Sequence, residues 1–449
     1  MPATARLLKD LKKVVLLVVL ILVALYGAKW KRGSPVSSTL TPSEDFSRSC
    51  TPQAYAAGQW QRGALFEAFS TSNMTQPHDA LVFAGFSGCA SPCDFCNLRQ
   101  LAADNEKQYD RFPRAHLYEW APGDACTGLK PLDIERFVKT LVEDGGWFLV
   151  GDSVSENHFF SLSCLLYGHV IATPDFTESE HWERDYPQHL YLSASSPIIS
   201  TIDFPKGFDI NKTPLVSFKR IDVLFSKQEL IEIHRAIQPP GVDMSENTLF
   251  GEEAVWTTAA DEYLTQFTAP LPGANYATMV VSTGAHWTVG TFGQTIPEGI
   301  DGVLNLFEHA MKIWLHKTET HIDMSSRTSR PFWSFGPFAK KVKSRRRAVV
   351  RAYPAGHENC HETRAPWTEI HPFSSTHWNW NYLQIFNEIF EKLLVDKIRY
   401  PNIHYLGIDR PARLRPDAHI TGDCLHIMTG AGVLEGWTQY ISHFITNEL

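Results

Sequence analysis

Two short motifs far apart in the chain, Gly151-Asp152-Ser153 and Asp423-Cys424-Leu425-His426, hold the residue types of a Ser-His-Asp site. A serine hydroxyl is hardly ionised at neutral pH and becomes a nucleophile only beside a base. That base in turn needs a third group to fix its tautomer and carry its charge. An Asp three residues before a His can do both jobs when one tight turn brings the side chains to the same side. Each motif alone is weak evidence. Gly-Asp-Ser is ordinary turn composition, and an isolated D-x-x-H also fits a hydrogen-bonded core histidine. Their order, near the two ends of one domain, favours catalysis.

The elements around Ser153 suit that role. Trp147-Phe148-Leu149-Val150 is an apolar run of strand length, and Gly151 permits a tight turn at its end. Phe159, Leu162, Leu165 and Leu166 follow at helical spacing, so Ser153 is expected at a strand's carboxyl end beside a helix N-terminus. Ligands bind there in α/β sheets, and backbone N–H groups there stabilise an oxyanion. Residues 131–141 predict a preceding helix. Residues 277–281, 348–352 and 403–408 read as buried strands, alternating with helices over 302–315 and 382–398, which argues for an α/β parallel sheet covered on both faces.

The stretch GWFLVGDSVSENHFFSLSCLL, 146–166, resembles the first block of the plant trichome-birefringence-like proteins and the wider PC-esterase group of SGNH-type folds. Residues 406–441 resemble their closing block: Arg415, Asp417 and His419 as an R-x-D-x-H element, then D-C-x-H, a Gly-rich turn and a helix carrying Trp437. Cys50, Gly58, Trp60, Cys89, Cys96, residues 118–122 and Cys126 are similar to the cysteine-bearing N-terminal segment of those proteins. The resemblance implies an SGNH-like three-layer fold. It also implies O-acyl transfer, as O-acetyl transfer, to or from a carbohydrate or cell-wall polysaccharide, with Ser153, His426 and Asp423 catalytic. Gly151, Asn157, Ser282, Gly284 and His286 become candidates for the oxyanion hole or substrate contact, and Arg415, Asp417 and His419 for a supporting network. No bound cofactor or metal is expected; an acyl donor, acetyl-CoA or another, is required. A carbohydrate acetylesterase and a non-catalytic glycan-binding or scaffolding protein stand as alternatives.

The chain departs from the plant pattern at three points. Glu156 replaces an arginine before Asn157, Ile427-Met428 replace Trp-Cys after His426, and Ser282 replaces an asparagine at a strand end.

Residues 14–28 are apolar and uncharged between lysine clusters, which predicts a single uncleaved signal-anchor over 1–32. A flexible stem follows over 33–49, then a cysteine-rich subdomain over 50–130 and the catalytic domain over 131–449. The expected setting is the Golgi or ER membrane, type II, with the catalytic domain lumenal. One span at most leaves import of a membrane-borne donor to another protein. Eight cysteines, Cys50, Cys89, Cys93, Cys96, Cys126, Cys164, Cys360 and Cys424, suit an oxidising compartment. A zinc knuckle from Cys89, Cys93, Cys96 and Cys126 is the competing reading. Sequons at Asn73 and Asn211 fit the same setting. A formal charge of −8 argues against a nucleic-acid partner. The basic run 340–347 reads as a solvated loop, and the aromatic cluster 377–382 as a helix start with rings against the core.

Overall fold

The computed structural model describes residues 49–64, 73–90, 98–173, 188–239, 249–293, 299–328, 345–374 and 377–449. The expected anchor and stem, Cys93, Cys96 and most of the basic run lie outside the described residues. No helix among the described residues is long and apolar enough to cross a membrane. Residues 49–449 form one compact unit.

The sheet grows from buried strands. β1 (Gln59–Arg62) and β2 (Tyr118–Ala121) pair as a small antiparallel ribbon. The main sheet contains β3 (Gly146–Gly151), β4 (Val170–Thr173), β5 (Gln188–Leu192), β6 (Pro214–Arg220), β7 (Tyr276–Ser282), β8 (Arg347–Arg351) and β9 (Ile403–Leu406), in the order β4-β5-β6-β3-β7-β8-β9. From β6 to β9 all pairings are parallel, while β5 runs antiparallel to both neighbours. Near-continuous burial of β3, β6 and β7 is what a sheet covered on both faces requires.

The principal helices are α1 (Ile134–Glu143), α2 (Ser153–Leu165), α3 (Lys227–Ile237), α4 (Ala260–Thr268), α5 (Ile300–Thr328), α6 (Leu383–Leu393) and α7 (Val433–His443). Successive side chains of a strand point to opposite faces. Trp147 meets Phe137 of α1, with ring centroids 5.0 Å apart, whereas its neighbour Phe148 stacks at 6.4 Å on Phe267 of α4. So α1 and α4 cover opposite faces, and the architecture is three-layered. Phe218, level with Leu149 in the ladder, meets Phe159 of α2 and sets that helix on the α1 side. The chain passes from β3 to the β4–β6 side and returns at β7 beside β3, so Ser153 follows the central strand where the order reverses. Open α/β sheets bind ligands at that point.

Three disulfides join described residues: Cys50–Cys126, Cys89–Cys164 and Cys360–Cys424. Bonding of Cys89 and Cys126 to other cysteines rules out the four-cysteine zinc knuckle. The cysteine-bearing segment is also no separate body. Met74, Ala80, Leu101, Ala102, Ala103, Tyr109 and Phe112 share a second core with Phe160 and Cys164 of α2 and with Ala418, Ile420 and Met428 around the D-x-x-H loop. Arg345, Arg346 and Arg347 donate to Asn275 and to the carbonyls of Ala269 and Ile445, so the described end of the basic run is tied into the fold rather than solvated.

Candidate active site

β3 ends at Gly151, whose φ of +155° and crowded surroundings exclude a side chain. A Cβ there would lie 2.3 Å from the Ser282 carbonyl oxygen and 2.4 Å from Ser155 Oγ. Asp152 caps the next helix, its Oδ1 accepting the Val154 N–H at 3.0 Å. Ser153 is therefore the first residue of α2, and its amide belongs to the first-turn N–H groups that have no intrahelical acceptor.

The D-x-x-H loop builds its dyad from the expected residues. Asp423 Oδ2 accepts the Nδ1–H of His426 at 2.9 Å. Oδ1 accepts the backbone N–H of Leu425 at 2.9 Å and of His426 at 2.8 Å. Burial alone would raise the pKa of Asp423. The His426 hydrogen bond and charge, with the two amides, outweigh it and hold the carboxyl well below the usual range.

Asn157 brings the dyad to the nucleophile's helix. It lies one turn beyond Ser153, hence on the same face. Its Oδ1 accepts the N–H of Ile427, next to His426, at 2.9 Å, and its Nδ2 donates to Gln100 Oε1. Asn157 thus tethers the loop through its oxygen and one of its N–H groups. Ser153 Oγ and His426 are not hydrogen-bonded to each other among the described residues. Catalytic hydrogen bonds are often long in ligand-free enzymes and tighten when substrate binds.

Arg415, Asp417 and His419 support the loop. Arg415 Nε donates to Asp417 Oδ1 at 2.9 Å, both fully buried, and its guanidinium stacks 4.3 Å from the Trp60 ring. His419 Nδ1 meets the His426 carbonyl at 2.9 Å, and Nε2 lies 2.6 Å from Nδ1 of His357. The Cys360–Cys424 disulfide fixes the residue after Asp423; Cys360, His361 and Cys424 cluster closely, but the joined sulfurs are not free to ligate a metal.

Ser282, Gly284 and His286 follow β7 on the other side of Gly151. Ser282 pairs with Gly151 in the ladder, and its buried Oγ has no hydrogen-bond partner. A Cβ on Gly284 would touch Tyr353 and Leu383. His286 Nε2 lies 3.8 Å from Asp222, a buried carboxylate that also accepts Arg220 Nε at 2.6 Å. Arg220 also reaches Glu156 at 3.4 Å, so the acid one position before Asn157 is paired with a cation from β6. Burial raises the pKa of Asp152, and His286 and Arg220 oppose the rise. The neighbouring Tyr353 hydroxyl also opposes the rise, and it and Asp152 Oδ2 are both buried.

Tyr353 also lines a cavity of about 430 Å³. Its walls include Trp380, Phe373 and His371, together with Asp409 and Arg413. Gly356 and His357, on the same wall, adjoin the dyad loop: the His357 N–H donates to the Cys424 carbonyl at 2.9 Å. The aromatic cluster opens a helix, and Trp380 and Tyr382 pack against the core as expected, whereas Trp378 does not. Trp378 and Asn379 adopt left-handed φ of +54° and +53°, Trp378 is exposed, and Trp380 faces the cavity.

Arg99 and Gln100 are site residues that sequence reasoning missed. Both lie in a helical turn among cysteines, with no chemical motif to mark them. Asn73 and Asn211 are exposed, as glycan acceptors must be. Fold and site together describe a three-layer α/β protein with an Asp-His dyad facing a helix that begins with serine. No family model and no curated protein matches the chain.

Proposed function

We propose that this chain is an acyl-transfer enzyme of the secretory pathway that moves an acetyl group to a carbohydrate hydroxyl through a Ser-His-Asp mechanism. One observation carries the reading: Asn157 holds the Asp423–His426 dyad against the helix that Ser153 opens. In that mechanism His426 Nε2 takes the proton of Ser153 Oγ as the oxygen attacks the acyl carbonyl, and Asp423 stabilises the imidazolium. The oxyanion faces the Ser153 N–H and the backbone around Gly284. Collapse expels the donor's leaving group, protonated by His426, and leaves acyl-Ser153. His426 then deprotonates a sugar hydroxyl, which attacks the ester and releases Ser153 with its proton restored.

The cavity beside the dyad supports a sugar acceptor, because aromatic faces pack against the C–H faces of a pyranose while Asp409, Arg413 and Gln384 supply hydrogen-bond partners for hydroxyls. Three disulfides favour an oxidising lumen, in keeping with a Golgi or ER setting. The donor is acetyl-CoA or another activated acetyl compound, delivered by another membrane protein if it must cross the bilayer.

Purified protein incubated with a radiolabelled acetyl donor and oligosaccharide is expected to yield acetylated sugar, and Ser153→Ala none. Hydrolysis is the close alternative, favoured by the solvent access of both Ser153 and His426; it predicts acetate release from an acetylated oligosaccharide without an acceptor. The missing Ser153–His426 hydrogen bond favours a non-catalytic glycan-binding role, which predicts that a fluorophosphonate leaves Ser153 unlabelled.

A further inference from the structure

We infer that Arg99 and Gln100 are positioning residues of the triad, so that the cysteine-bearing segment before the catalytic sheet completes the active site. The inference rests on the acyl-transfer reading for its kinetic consequences, but its geometry is independent of it.

Gln100 touches both halves of the site. Its side-chain Oε1 accepts Asn157 Nδ2 at 2.5 Å, and its backbone carbonyl accepts the Thr429 N–H at 2.9 Å. Asn157 in turn accepts the Ile427 N–H at 2.9 Å. A side-chain amide with its nitrogen engaged by Gln100 must present its oxygen to Ile427, so Gln100 sets which way Asn157 points. Its neighbour Arg99, though exposed, reaches Asp423 Oδ2 at 3.5 Å, the same oxygen that receives His426 Nδ1–H. The carboxylate is thereby steered from the outside by a cation and from the inside by the loop's own amides. Leu101, Ala102 and Ala103 anchor the clamp in the core they share with Ala418, Ile420 and Met428. Cys89–Cys164 ties the segment to the far end of α2. Ser153 and His426 stand 273 positions apart (426 − 153), and Arg99 and Gln100 bridge the elements that carry them.

The test uses the full-length protein and 4-nitrophenyl acetate as the probe ester. Gln100→Met keeps the length but removes the acceptor, and is expected to lower kcat about 10²-fold, the scale of a misplacement of about 1 Å, with KM little changed. Gln100→Glu restores an acceptor oxygen to Asn157 and is expected to recover most of the lost rate. Arg99→Met is expected to lower kcat by a smaller factor, with Arg99→Lys partly restoring it. Amide exchange at Ile427 and Thr429 is measured alongside, and Gln100→Met is expected to accelerate it while distant strand amides stay protected. Unchanged kcat and unchanged exchange in Gln100→Met, a change confined to KM, or a Gln100→Glu variant as slow as Gln100→Met, would each overturn the inference. A Ser153→Ala protein as active as the parent would sink the acyl-transfer reading instead, and the exchange data would still decide the positioning role.

Discussion

Asp423 Oδ2 and His426 Nδ1 are 2.9 Å apart, and the other carboxylate oxygen is held by the two following amides. The proton of the imidazole is thereby fixed on Nδ1, leaving Nε2 as an acceptor. Asp423→Asn exchanges an acceptor for a group able to donate and favours the wrong tautomer. We expect a fall of about 10⁴-fold in kcat, with little change in stability, read as the rate of fluorophosphonate labelling at Ser153. A labelling rate within a factor of about ten of the parent would count against a working triad.

Gly151→Ala tests the turn that presents Ser153. The new methyl would meet the Ser282 carbonyl and Ser155 Oγ inside a packed sheet end. We expect a loss of about 1–3 kcal/mol in urea unfolding, and reduced activity at temperatures where the variant is still folded. A loss under about 0.5 kcal/mol, the range of neutral surface changes, would mean that the turn relaxes freely.

Replacing Cys360 and Cys424 together with serine should separate folding from chemistry. Loss of the cross-link is expected to cost about 2–4 kcal/mol. Because Cys424 adjoins Asp423, activity should also fall about 10²-fold under conditions where the variant is still folded. Removing Cys50–Cys126, remote from the dyad, should cost stability without a comparable loss of rate; equal losses of rate in both variants would contradict this.

Acid should destabilise the fold through its buried histidines. Burial pushes His189 and His357 down to about 4, from an ordinary value of 6.5 in the unfolded chain. Between these values the unfolded chain binds more protons than the folded one, so the stability they contribute is complete above about 6.5 and is lost as pH falls towards 4. His357 adds a further constraint. Its Nε2 faces the Arg413 carbonyl at 2.9 Å, while the Nδ1 of its partner His419 faces the His426 carbonyl at 2.9 Å. Full hydrogen bonding of the pair takes three protons on two rings. Burial opposes the third, which enters only in acid. Urea midpoints measured from pH 7 to 4 should decline, and the slope should flatten in His189→Gln and in His357→Gln. An unchanged slope in both variants would refute the assignment.

The turn at Ser153, the Asp423–His426 pairing and the central strands were legible because their signals are local. Trp147 to Ser153 combines an apolar run, a turn glycine and a helix start within a few positions. The other half of the sheet was hidden by its polar content. β6 carries Ser217, Lys219 and Arg220 in a fully buried strand, balanced by Tyr276 and Glu262 from distant segments and by Asp222 just beyond the strand's end. Such pairing cannot be read from periodicity, nor can the pairing of Cys89 with Cys164 or Cys360 with Cys424. Asn157 was recognisable as important, but its task depends on Gln100 and Ile427, which only the folded chain brings to it.

The Cys360–Cys424 bridge gives the chain a built-in condition of address. Wherever thiols are kept reduced, the residue beside Asp423 loses its covalent hold, and the loop is left to its hydrogen bonds with Asn157 and Gln100. If the triad works as proposed, copies stranded in a reducing space would run about 10²-fold slower there without needing an inhibitor, and would reach full rate only after crossing into an oxidising one.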